Sequence, residues 1–116
     1  MSEIKRGDVF YANLKHNESE TSIQTGVRPV IIVQNDVGNA YSPTTIVVPL
    51  TSKKKKRYMP THVLISANQD NGLRTDSIAL LEQVQPVDKK CLKERLGCLR
   101  DMKEIDKALK VSVGLA

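Results

Sequence analysis

Arg28 stands between Val27 and Pro29, at the start of the apolar run VRPVIIVQ at 27–34. Charged side chains avoid such surroundings unless they are paired or bind something. Two roles are open. Arg28 can form a structural ion pair, with Asp36 or Glu82 as the acid, or it can be a guanidinium held rigid for an anionic ligand. Taken alone, it favours the structural role. Thr51 closes a second β-prone run, TTIVVPLT at 44–51, and Ser52 leads from it into KKKKR at 53–57. Strand-end hydroxyls are ordinary turn chemistry, and a lysine run is ordinarily a solvated loop. Together, a rigid Arg, strand-end hydroxyls and a basic loop suit a phosphodiester. Arg28, Thr51 and Ser52 would meet the reacting phosphate, while Lys53, Lys54, Lys55, Lys56 and Arg57 would hold the flanking backbone.

The charge balance points the same way. The 116 residues carry 18 Lys and Arg against 13 Asp and Glu, a net charge of +5. Five of the basic residues lie in 53–57, so the rest of the chain is neutral. A basic patch concentrated in one segment fits a polyanion partner. Aromatic residues are few: Phe10, Tyr11, Tyr41 and Tyr58. Tyr58 borders the basic run and is a candidate for stacking on a base. Phe10 and Tyr11 sit on an expected strand, where core or interface roles are expected.

Other chemistries lack their residues. His16 and His62 are the only histidines, and no H-x-x-x-H, H-E-x-x-H or Cys/His cluster is present. No D-x-D pair, EF-hand loop, P-loop, G-x-G-x-x-G or G-x-S-x-G occurs. Neither a metal nor any other cofactor is expected. Cys91 and Cys98 make no C-x-x-C pair and no disulfide framework, and read as small apolar residues or free thiols. The start, MSEIKRGDVF, has no apolar core for a secretory signal, and no apolar run is long enough to span a bilayer. A cytoplasmic protein with no membrane contact is expected.

These residues need elements to position them. The length suits one domain over 1–116. Strands are expected at 7–14, 27–34, 44–51, 61–65 and 77–84. Pro29 should mark a strand start or a bulge, and Pro49 an edge or a bulge. Residues 15–25 form a long polar loop, 35–43 carry turn chemistry, and Gly72 lies in a polar turn. DKKCLKERL at 88–96 suggests a short helix stopped by Gly97. Asp101 with Glu104 resembles a capping box, and Met102, Ile105, Leu109 and Val113 follow at helical spacing as a core-facing stripe. The result is an α+β domain: a small antiparallel β-barrel with a C-terminal amphipathic helix.

Longer segments carry a resemblance. RGDVFYANL at 6–14, GVRPVIIVQNDVGNAYSPTTIVVPLTS at 26–52, PTHVLI at 60–65, DSIALLEQVQPVDK at 76–89 and SVGL at 112–115 occur in order along nearly the whole chain. This pattern resembles the MazF/PemK toxins of type II toxin–antitoxin pairs. The resemblance implies an SH3-like barrel and a homodimer that cuts single-stranded RNA without a metal, held in check by a cognate antitoxin. It implies attack by the RNA's own 2′-OH, leaving a 2′,3′-cyclic phosphate and a 5′-OH. It places the catalytic Arg on Arg28, the catalytic Thr on Thr51 and RNA contacts on Ser22, Gln24 and Gln83. Where relatives carry an acidic residue between the equivalents of Ser22 and Gln24, this chain has Ile23. The loop from Lys15 also looks longer than in relatives.

Such a reaction needs no protein nucleophile. A guanidinium stays protonated in proteins, so Arg28 serves as an electrostatic stabiliser or proton donor, not as the base. No residue is assigned as base; His62 on a strand reads as structural, and His16 lies in the loop. Two other classes remain open: a non-catalytic RNA-binding barrel, and a gyrase-binding toxin of the CcdB kind, whose fold is similar.

Overall fold

The computed structural model describes residues 3–14, 26–52 and 59–116. His16, Ser22, Gln24, Lys53, Lys54, Lys55, Lys56, Arg57 and Tyr58 lie outside these residues. In chain order the elements are β1 (Asp8–Leu14), β2 (Gly26–Ile32), α1 (Asp36–Tyr41), β3 (Thr44–Thr51), β4 (His62–Ile65), β5 (Ser77–Leu80), β6 (Gln85–Asp88), β7 (Leu92–Cys98) and α2 (Lys103–Ser112). Two 3-10 turns, Leu81–Gln83 and Lys89–Cys91, flank β6. All strand pairs are antiparallel. The strands run β4-β5-β3-β2-β1-β7, with β6 also paired to β3. The path ends at β4 and β7 without closing, so the α+β barrel is an open one.

The continuous apolar runs are explained by burial on both faces. Val9, Ile31, Val48 and Leu50 pack with Ile105 and Ala108 of α2 on one side. Phe10, Ala12, Leu14, Val30, Ile32 and Val47 pack with Val87 on the other. Alternate residues of β1, β2 and β3 thus supply two cores, as the two-residue strand period requires.

Three local expectations are corrected. Residues 88–96 are not a helix: Asp88 caps a single 3-10 turn by accepting from the Lys90 amide at 3.0 Å, and β7 follows. Pairing of β7 with β1, from Asp8–Cys98 to Ala12–Leu92, overrides the local helical pattern. Residues 35–43 are more than turn: Asn35 caps the short helix α1 by accepting from the Gly38 amide at 2.8 Å. The strand expected at 77–84 stops at Leu80, and β6, unforeseen, follows the turn.

Asn39 of α1 is only 3% exposed and ties the helix down. It donates to the Gln34 carbonyl and Asp36, and accepts from Thr45 and the Gln34 side chain. The Arg6 amide, and then the Asn39 side chain, hold the Asp36 carboxyl below the usual carboxylate range.

In α2, Ile105 and Ala108 are buried, while Leu109, and Met102 just before the helix, pack partly. Val113 does not complete the stripe. It is 54% exposed, because the helix ends at Ser112 and Gly114, at φ +79°, turns the chain away. Asp101 accepts from the Lys103 amide at 2.9 Å, one residue earlier than a capping box would have it.

The segment between β4 and β5 is a fixed loop. Buried Asn71 is its hub, exchanging bonds with Asn68, donating to the Ser66 carbonyl and accepting from the Leu73 amide. Asp76 accepts from the Ala67 amide at 2.8 Å, which draws the loop's two ends together. The loop also lies against β7, where the Cys98 amide donates to the Asp70 carbonyl at 2.8 Å. Two glycines permit this approach. A Cβ on Gly72 would lie 2.0 Å from the Leu96 carbonyl oxygen, and one on Gly97 would lie 2.1 Å from that of Asp70.

Candidate active site

The site is built where the sheet divides. β2 and β3 pair only from Val30–Pro49 to Ile32–Val47. Beyond Pro49, Leu50 and Thr51 pair with Ala79 and Ile78 of β5 instead. Pro29 and Pro49 lack amide hydrogens, so neither can donate to extend the β2–β3 ladder. Pro29 therefore does not start β2, which begins at Gly26; it lies opposite Tyr11 of β1, past the last β2–β3 pair. Pro49 is no edge residue either, being wholly buried at the point where β3 changes partners.

The divergence opens a cleft of about 240 Å³. Arg28 and Pro29 of β2, Leu50 of β3 and the adjoining Ser52 line it, with Tyr11 of β1 and Leu96 of β7. The fixed loop contributes Leu73, Arg74 and Thr75, and Ser77 follows at the start of β5. Arg28 is half-buried opposite Ala12. Asp36 is engaged by Arg6 and Asn39, and Glu82 accepts from Thr61 at 2.9 Å and meets His62 at 3.0 Å.

Thr51 is 3% exposed, and it is the adjacent Ser52 that lines the cleft. Gln83 is not part of it. Gln83 sits half-buried in the 3-10 turn between β5 and β6, alongside the middle of β3 and not its Ser52 end. His62 is also elsewhere, in a hollow with Pro60, Glu104, Lys107 and Val111. Tyr11, expected in the core or an interface, is half-buried and lines the cleft. Arg74 and Thr75 escaped notice because a basic residue in a polar turn carries no local signal. Only the loop's seating on β7 brings them to β2.

A larger hollow, about 490 Å³, is lined by Ile4, Phe10, Leu92, Lys89, Lys90 and Lys93 among others. It contains none of the residues expected from the sequence to take part in catalysis or RNA contact. No group of three or more His, Cys, Asp or Glu able to hold a metal occurs among the described residues. No helix among them is long and apolar enough to cross a membrane.

The sequence profile of the family described as PemK-like, MazF-like toxin of type II toxin–antitoxin system matches residues 5–113. The chain belongs to this family. The toxin's fold is shared by a mycobacterial endoribonuclease solved in complex with its cognate antitoxin, at 25% identity and a TM-score of 0.78, covering 97% of each chain. It is shared by the Mycobacterium tuberculosis toxin MazF-mt6, at 20% identity and a TM-score of 0.75, covering 94% of the toxin and 98% of its counterpart. MazF from Deinococcus radiodurans matches at 18% identity and a TM-score of 0.77, over 98% and 99% of the two chains. In the toxin the cleft gathers residues from five strands and one loop, far apart in sequence and fixed by the sheet.

Proposed function

We propose that this chain is an endoribonuclease toxin that cuts single-stranded RNA at the Arg28 cleft and is neutralised by a cognate antitoxin. The observation that carries the proposal is the juxtaposition of Arg28 and Ser52 at the split end of the sheet, in a member of this toxin family. The fold-sharing mycobacterial endoribonuclease with its antitoxin supports it. A homodimer acting in the cytoplasm belongs to the same reading.

The chemistry asks the protein for orientation and charge stabilisation. The RNA 2′-oxygen forms a bond to the adjacent phosphorus as the bond from phosphorus to the 5′-oxygen breaks. The 2′ proton leaves, and the 5′-oxygen gains one. Arg28 donates two hydrogen bonds to the phosphoryl oxygens and offsets the charge that builds on them. The resemblance assigns Thr51 as a further hydroxyl donor to the same phosphate, and the adjacent Ser52 lies on the cleft wall. Ser22, Gln24 and Gln83 contact the RNA beyond this phosphate, Tyr58 stacks on a base, and the 53–57 run holds the flanking strand.

The direct test is incubation of the purified toxin with long single-stranded RNA and its DNA equivalent in excess EDTA, with fragment ends mapped. RNA-only cuts ending in cyclic phosphate are expected. Uncut RNA, across several sequences and with folded, antitoxin-free protein, would remove the reading. Replacing Lys53, Lys54, Lys55 and Lys56 with glutamine should weaken RNA binding. It should also flatten the plot of log Kd against log salt by up to about 3, since each single-strand phosphate contact contributes about 0.7. An unchanged slope would return the run to a solvated loop.

A further inference from the structure

We infer that Arg74 is a second phosphate clamp in the same cleft, holding a backbone phosphate next to the one that reacts. The inference rests on the RNA-cleaving reading and extends it to substrate positioning. Arg74 and Arg28 line one cleft from opposite parts of the chain, a loop and a strand. Arg74 is exposed and forms no hydrogen bond or ion pair among the described residues. The acids near it in sequence are engaged elsewhere. Asp76 accepts from the Ala67 amide, and Asp70 pairs with Arg100 at 3.0 Å. Neither acid forms an ion pair with Arg74.

The loop under Arg74 is already ordered. Asn71, the Asp76–Ala67 bond and the close approach of Gly72 to Leu96 fix its backbone before any ligand arrives. Binding then costs little beyond ordering one side chain. Exposure separates the two arginines by role. A half-buried donor gains strength on charge that develops in the transition state, and Arg28 has that position. An exposed guanidinium is screened and holds ground state and transition state about equally. Arg74 should therefore act on KM, and Arg28 on kcat.

The test uses a short RNA spanning the mapped cut site, and the same RNA with a 2′-deoxyribose at the cut for binding. Wild type, Arg74→Gln and Arg74→Lys are compared. For Arg74→Gln, KM and Kd are expected to rise about five- to tenfold, the effect of one charge-assisted hydrogen bond on an exposed site. kcat should stay within about twofold, a split that marks ground-state binding. The salt slope should fall by about 0.7, and Arg74→Lys should restore it, since lysine keeps the charge. Unchanged KM and slope in Arg74→Gln would reduce Arg74 to a surface charge. A drop in kcat at constant KM would place it on the reacting phosphate, and either result overturns the clamp. If wild type cuts no RNA, the cleavage reading fails; the slope is then read on a mixed-sequence RNA and still decides whether Arg74 holds a phosphate.

Discussion

Replacing Arg28 with alanine is expected to lower RNA cleavage by about 100- to 1,000-fold, the usual cost of removing one preorganised donor from developing charge. The chain should stay folded. Arg28 lies past the last β2–β3 pair and is only half-buried, and the core residues of β2 begin at Val30. The loss should appear in kcat, because the donor acts most strongly on charge formed during attack. Arg28→Lys should recover part of the rate, since it keeps the charge without the two-pronged geometry. Initial rates on a defined RNA, with thermal unfolding of each variant, measure both effects. Near wild-type cleavage by folded Arg28→Ala would take this residue out of the chemistry. If Arg28→Ala fails to fold, the kcat of Arg28→Lys decides the same question.

The largest expected effect on stability is at Gly72. Gly72→Ala should cost about 3–5 kcal/mol, from a left-handed backbone at roughly 1–3 kcal/mol and a backbone clash of similar size. The φ of Gly72 is +68°, and the added Cβ would meet the Leu96 carbonyl oxygen, at the bulge of β7 between the Phe10–Arg95 and Val9–Gly97 pairs. Gly114 is the control. Its φ is +79° but nothing lies within 4 Å of its Cβ position, so Gly114→Ala should cost only about 1 kcal/mol. Urea unfolding of the two variants separates strain from collision. Equal losses would show that the close approach relaxes freely and is not what holds the loop.

The residues of the cleft were unevenly legible in the sequence. Arg28 stood out because a charge in an apolar run breaks a local pattern, and Ser52 because it joins a strand end to a basic run. The burial of β2 followed from its unbroken apolar stretch; that of β3 did not, because Pro49 suggested an edge or a bulge. The pairing of β7 did not follow, because its partner β1 lies about 80 to 90 residues earlier and DKKCLKERL by itself has good helix formers. Once β7 was misread, Gly97 looked like a helix stop, not a point of backbone approach. The support for Arg74 was hidden with it. Val113 was misplaced for a smaller reason: helical spacing continues on paper past the residue where the helix itself stops.

The pairing of the first strand with the last has a consequence in time. A chain is made from its N-terminus, and contacts between distant segments form slowly. Arg28 and Ser52 are synthesised early, but the Arg74 loop has no seat until Leu96, Gly97 and Cys98 have emerged and joined β1. A growing chain therefore carries Arg28 without a complete cleft around it. The cleft is finished only when β7, the last strand to be made, has joined β1.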